Sequence, residues 1–212
     1  MQGKKELLAR SLYFSGLLRP FRAGVRKKLL VLNYHRIYLN ESTRQTCFDD
    51  RLSGVSAARF EQQISWLSRN MQVLDERQLL DRIGGENYSA NHCGRPAAAI
   101  TFDDGYLDNY TLALPILRKY RVPAFFFVCS SLVTERKLGW WDLISYFLKK
   151  TGKTSIDLDG NHFALPAECH LAERHYKTRM KLESQASTRN LIAELSEACE
   201  VPQPPRKSRI GN

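Results

Sequence analysis

The chain has no Cys-x-x-Cys pair, no apolar stretch of membrane-spanning length and no low-complexity bias, and each absence removes a class of protein. Its five cysteines, Cys47, Cys93, Cys129, Cys169 and Cys199, are odd in number and far apart. That spacing supports neither a disulfide framework nor a thiolate zinc site, and reads as scattered thiols. A membrane-spanning helix needs about 20 consecutive apolar residues, and no such run occurs. The start does not read as a secretory leader, because Arg10 separates Leu7-Leu8-Ala9 from Leu12-Tyr13-Phe14. A cytoplasmic or membrane-peripheral protein is therefore expected. Zinc-finger spacing, RNP aromatics and a heptad-linked basic region are missing too, so nucleic acid is not an expected partner despite the net charge of +10.

What is present suits a globular domain: 212 residues, 43% hydrophobic and 25% charged, long enough to bury a sizeable core. The basic excess gathers at the ends, from Lys4 to Lys28 and at Arg206, Lys207 and Arg209. Such ends are solvated or face an anionic surface. Residues 6–28 set Leu7, Leu8, Leu12, Phe14, Leu17, Leu18 and Phe21 among basic side chains. They read either as an interfacial helix on anionic lipid or as a helix packed on its own domain.

Strand and helix patterns alternate through the first two thirds. Lys28 to Tyr34, Ala97 to Phe102 and Ala124 to Cys129 are short continuous apolar runs of the kind found in buried parallel strands. Ser56 is placed to cap a helix carrying Phe60, Ile64 and Leu67 on one face. Gln72 to Leu74 reads as a brief strand, and Asp75 with Gln78 forms a capping box ahead of Leu79, Leu80 and Ile83. A helix ending near Tyr120 contains Pro115, which must start a turn or impose a kink. This order predicts βα units and a parallel sheet, open or closed into a barrel. Beyond Ser130 the pattern changes to a helix over Leu143–Lys150, a hairpin turning at Asp159-Gly160-Asn161, and one long helical run from Leu171 to Cys199. That region reads as an insertion on one face of the βα core.

Asp103 and Asp104 stand directly after the Ala97–Phe102 strand, where βα folds place their active sites. Neighbouring side chains of an extended chain point to opposite faces, but a turn at Gly105 can bring both into one cleft. One carboxylate can then bind a cation while the other accepts a proton from water. A plain polar turn is the competing reading of Asp-Asp-Gly taken alone.

The context decides between them. Thr101-Phe102-Asp103-Asp104-Gly105, then a helix, then Val122-Pro123-Ala124-Phe125-Phe126-Phe127-Val128, resembles the first motif of the polysaccharide deacetylase (NodB-homology) family. Tyr34-His35-Arg36-Ile37 and Trp140-Trp141-Asp142 resemble elements of one branch of it. The resemblance implies a partial (β/α) barrel with parallel strands, an inserted hairpin and a long helix. It implies an amide hydrolase acting on an N-acetylated polysaccharide, with a divalent metal, zinc for preference. Asp103 matches the general base and Asp104 the metal ligand. His35 either lines the sugar site or is a histidine satisfied by the core.

The family's H-[ST]-x-x-H pair has no match in these residues. His170 and His175 are the nearest approach, about 140° apart around a helix, and read as a solvated face. The expected organisation is a basic amphipathic segment at 1–28, an incomplete deacetylase domain over 29–205 with an insertion at 142–201, and a structureless tail at 206–212. The expectation is a chain cut short before the histidine motif, and inactive by itself. A non-catalytic carbohydrate-binding or membrane-surface module is the alternative.

Overall fold

The computed structural model describes residues 28–40, 54–84, 95–135 and 138–204. The expectations for the amphipathic segment at 6–28 and the tail at 206–212 fall almost wholly on residues outside these. The architecture is mixed α/β with parallel strands.

The sheet is built on β5 (Ala97–Phe102), whose side chains are almost all buried. Strand β1 (Leu29–Tyr34) runs parallel to it in full register, from Leu29 opposite Ala97 to Tyr34 opposite Phe102. The short strands β4 (Gln72–Val73) and β6 (Phe125–Phe126) pair parallel with the first and last residues of β5. A separate parallel bridge joins β2 (Ile37–Tyr38) to β3 (Val55–Ser56).

Helix α1 (Ala57–Asn70) starts where Ser56 accepts a hydrogen bond from the Arg59 amide. It buries Phe60, Ile64 and Leu67, the face its periodicity foretells. Helix α2 (Glu76–Gly84) opens on the reciprocal capping box: the Gln78 amide donates to Asp75 Oδ1 at 2.9 Å, and the Asp75 amide to Gln78 Oε1 at 3.2 Å. Its apolar residues do not bury, and Leu80 and Ile83 stand 61% and 71% exposed. A π-helical turn (Asn109–Ala113) leads into α3 (Leu114–Tyr120), so Pro115, which cannot donate, falls where the chain passes from the wider turn into the α-helix. Phe60, Ile64, Leu67, Ile100, Phe102 and Leu117 form the core of this half.

The remaining elements surround a second core. They are α5 (Trp140–Lys150), the antiparallel hairpin of β7 (Ser155–Leu158) and β8 (Asn161–Ala164), α6 (Cys169–Met180) and α7 (Gln185–Cys199), preceded by a short α4 (Ser130–Thr134). Ile144, Phe147, Ile156, Ala172, Tyr176 and Leu195 lie at its centre. Asp159 and Gly160 turn the hairpin with φ of 53° and 74°, the left-handed pair that a two-residue turn requires.

Two expectations need correction. The helical run from Leu171 to Cys199 is two helices, because Ser184 starts a new one by accepting from the Ser187 amide. The runs read as buried strands are buried on β5 but not throughout β1 or the run from Ala124 to Cys129 that carries β6. Val31 is 55% exposed and Phe127 60%, since the flanking strands lack a covering layer among the described residues.

Candidate active site

Alternation along paired strands sets the geometry. In register, Asn33 lies beside Thr101, and the residues two further on in each chain are His35 and Asp103. Side chains two apart share a face, so these four form a polar patch at the C-terminal end of the central strands. The ladder continues one residue past the strand, with the Asp103 amide donating to the Tyr34 carbonyl at 3.0 Å. The Asn33 Nδ2 group donates to Asp103 Oδ2 at 2.7 Å, and the Thr101 hydroxyl donates to Asn33 Oδ1 at 2.8 Å. His35 Nε2 lies 3.7 Å from the same Asp103 oxygen, close enough to pair when protonated.

Asp104 departs from the strand. Its φ is 70° and that of Gly105 is 76°, so the chain turns on two successive left-handed residues and not on the glycine alone. A Cβ at Gly105 would stand 2.8 Å from Val128 Cγ1, which ties this turn to the segment after β6. Burial pushes the Asp104 carboxyl above the usual carboxylate range, and neighbouring Asp103 adds to this, while His35 and Arg36 draw it back.

Contacts around the neighbouring backbone hold His35 in place. Asp108 accepts from Arg36 Nε at 2.6 Å and from the Ile37 amide at 3.0 Å, so it clamps the chain leaving β1. Burial raises the Asp108 carboxyl, against the pull of Arg36 and the Ile37 amide. With its amide nitrogen turned toward them, buried Asn109 donates to Asp108 and to the His35 carbonyl. Arg36 also lies over the Tyr106 ring, 4.3 Å from its centroid. Tyr106 in turn donates to Asp142 Oδ2 at 2.7 Å and accepts from Trp141 Nε1 at 2.8 Å. The Trp-Trp-Asp element thus joins the second core to the turn that carries Asp103 and Asp104.

Sequence reading named Asp103, Asp104 and His35, and the structure brings His35 to Asp103. It missed the roles of Asn33 and Thr101, which become visible only once the β1–β5 register is known, and of Tyr106, which shows only in its bonds to Trp141 and Asp142. His170 and His175 lie elsewhere, on α6. His175 is no idle solvated group: its Nε2 is 3.0 Å from Asp159 Oδ2, so it pins the hairpin turn to α6.

Among the described residues, no three His, Cys, Asp or Glu side chains gather so as to hold one ion. Asp103 Oδ2 is already engaged by Asn33. These donors do not make a complete site, and His92 lies outside the described residues.

Comparison with known proteins agrees with the motif. Residues 90–192 match the family model described as polysaccharide deacetylase. YxkH of Bacillus subtilis is 33% identical over 110 residues, which is 51% of this chain and 34% of that protein. The poly-beta-1,6-N-acetyl-D-glucosamine N-deacetylase of Staphylococcus aureus is 29% identical over 172 residues, 74% of this chain and 54% of that one. The chain thus spans between a third and about half of the length of these curated relatives. Among solved structures, the Streptococcus pyogenes deacetylase PplD overlays with a TM-score of 0.40 at 23% identity, over 50% of this chain and 45% of that one. IcaB from Ammonifex degensii gives 0.37 at 22% identity, over 69% and 48%. No helix among the described residues is long and apolar enough to cross a membrane.

Proposed function

We propose that this chain, whose residues 90–192 match the polysaccharide deacetylase family model, carries the carboxylate half of an N-acetyl hydrolase site. The substrate class is an N-acetylated polysaccharide, by analogy with the Staphylococcus aureus relative, whose name specifies poly-N-acetylglucosamine. Asp103 is the general base. It takes a proton from the water that attacks the acetamide carbonyl, and Asn33 holds it toward the cleft. Asp104 is the carboxylate ligand of the divalent cation that membership of this family implies, zinc for preference. His35, beside Asp103, faces the sugar.

The observation that carries the reading is the paired-strand patch itself. The general-base candidate sits at the C-terminal end of the central parallel strand, with an oriented amide and an imidazole on the same face. The donors present among the described residues do not complete a metal site. Two further imidazoles are required, and the 212-residue sequence contains no H-[ST]-x-x-H pair to supply them.

A chimera tests the proposal. Residues 95–142 replace the matching segment of the Staphylococcus aureus deacetylase, and acetate release from N-acetylglucosamine oligomers is measured. The chimera is expected to release acetate, and Asp103→Asn to abolish release in a folded protein. A folded chimera that stays equally active after the Asp103→Asn substitution would remove Asp103 from the chemistry. The metal-free carbohydrate-binding reading is separated by titrating oligomers into the chain in EDTA, where the present proposal expects no saturable heat.

A further inference from the structure

The polar patch contains a device that neither the motif nor the family match assigns. We propose that Asn33 is a positioning residue for Asp103, and that Thr101 supports it by donating to its amide oxygen. The inference rests on the reading of Asp103 as general base.

The argument is one of donors and acceptors. An ionised carboxylate only accepts, so the side of the Asn33 amide facing Asp103 must be its NH2 group, at 2.7 Å. Its oxygen then faces Thr101, whose hydroxyl has one proton to give. That proton has two acceptors in reach, Asn33 Oδ1 at 2.8 Å and the Leu32 carbonyl at 3.4 Å, and the shorter contact prevails. Flipping the Asn33 amide would set its oxygen against Asp103 and lose that bond, although the Thr101 hydroxyl could then accept from the amide and donate to the Leu32 carbonyl. The orientation is therefore fixed by Asp103, and Thr101 completes the chain by donating to the amide oxygen.

The consequence falls on a single oxygen. Asn33 and His35 both approach Asp103 Oδ2. Among the described residues, Oδ1 takes no hydrogen bond from protein, so it is the oxygen turned to water and substrate. A bond from a neutral amide to a charged acceptor restrains the carboxylate torsion without bringing a second charge into the cleft. The register supplies the rest: Asn33 is level with Thr101 and diagonal to Asp103, so one short amide spans both.

The test reads the hydrogen-bond chain directly and does not read acetate, so failure of the deacetylase reading would not be mistaken for failure of this one. In the full chain labelled with nitrogen-15, the Asn33 side-chain amide is followed by heteronuclear correlation and solvent exchange. Asp103→Ala and the near-isosteric Thr101→Val are each expected to speed its exchange about tenfold or more and to shift both its proton signals. Thr101→Ser, which keeps the hydroxyl, is expected to retain the protected signal, and backbone spectra report that each variant is folded. An Asn33 amide unchanged in Asp103→Ala or in Thr101→Val would overturn the proposal. Loss of protection in Thr101→Ser would overturn it equally, since the hydroxyl would not be the group that supports the amide.

Discussion

Replacing Tyr106 with phenylalanine removes one oxygen and tests whether the two cores act as one. The ring stays under Arg36, so the 4.3 Å stacking is kept. Two hydrogen bonds go: the 2.7 Å bond donated to Asp142 and the 2.8 Å bond accepted from Trp141. Asp142 is 1% exposed, so water cannot replace the lost donor without opening the junction. A bond to a charged acceptor is worth about 1.5–3 kcal/mol and a neutral one about 1 kcal/mol, which gives a loss of roughly 3 kcal/mol. For a chain of this size that is a fall in Tm of about 6–12 °C. The assay is thermal and urea unfolding followed by tryptophan fluorescence and far-ultraviolet circular dichroism. Coincident transitions shifted together are expected, because the bonds join the second core to the Asp103–Gly105 turn. A loss below about 0.5 kcal/mol, with both probes unchanged, would refute the argument that this junction is a dry coupling between the two cores.

Asp104→Gly is expected to raise stability by about 0.5–1 kcal/mol while deleting the proposed metal ligand, since φ of 70° suits glycine better than aspartate; unfolding by urea measures it. Gly105→Ala is expected to cost about 1–3 kcal/mol in the same assay, because φ is 76° and Val128 Cγ1 stands 2.8 Å from the new methyl carbon. Burial raises both the Tyr176 hydroxyl and the Cys199 thiol to about 12, from 10.0 and 9.0. Raised folded-state values mean that their stabilisation is complete below about pH 9 and is lost as pH rises toward 12, on the order of 3 kcal/mol each. Urea midpoints across pH 8–12 should therefore be flat and then fall, with Cys199→Ala flattening the early part of the decline.

The parts of the fold legible in the sequence were those decided by neighbours along the chain. Ser56, the Asp75–Gln78 box and the Asp159-Gly160 turn each satisfy or bend local backbone, so their residue types announce them. The pair Asp103 and Asp104 was legible for a different reason: the T-F-D-D-G context resembles a known motif. What stayed hidden depends on pairing between distant segments. Nothing in Leu29–Tyr34 says that Asn33 will stand opposite Thr101, because an apolar strand fits β5 in several registers until the sheet is assembled. Burial was misjudged on β1 and on the run that carries β6 for the same kind of reason. An uninterrupted apolar run signals a strand made to be covered, whereas Val31 and Phe127 show which faces are covered among the described residues. The break at Ser184 was readable and missed: a serine ahead of a helical stretch is a start signal, even inside a longer charged run.

The most direct measurement of the central claim is acetate release by the purified 212-residue chain, given N-acetylglucosamine oligomers and zinc or cobalt. Asp103 and Asp104 are proposed for a hydrolase site, and the 212-residue sequence has no H-[ST]-x-x-H pair to supply its imidazole ligands. Tight zinc sites use three or more protein ligands, and a structural zinc is worth about 10–16 kcal/mol in total, so a lone matched ligand leaves occupancy negligible at micromolar metal. The predicted result is no metal-stimulated release above that of Asp103→Asn. Robust metal-stimulated release that Asp103→Asn abolishes would contradict the account, since the chain would then complete the site with donors of its own or of a second copy.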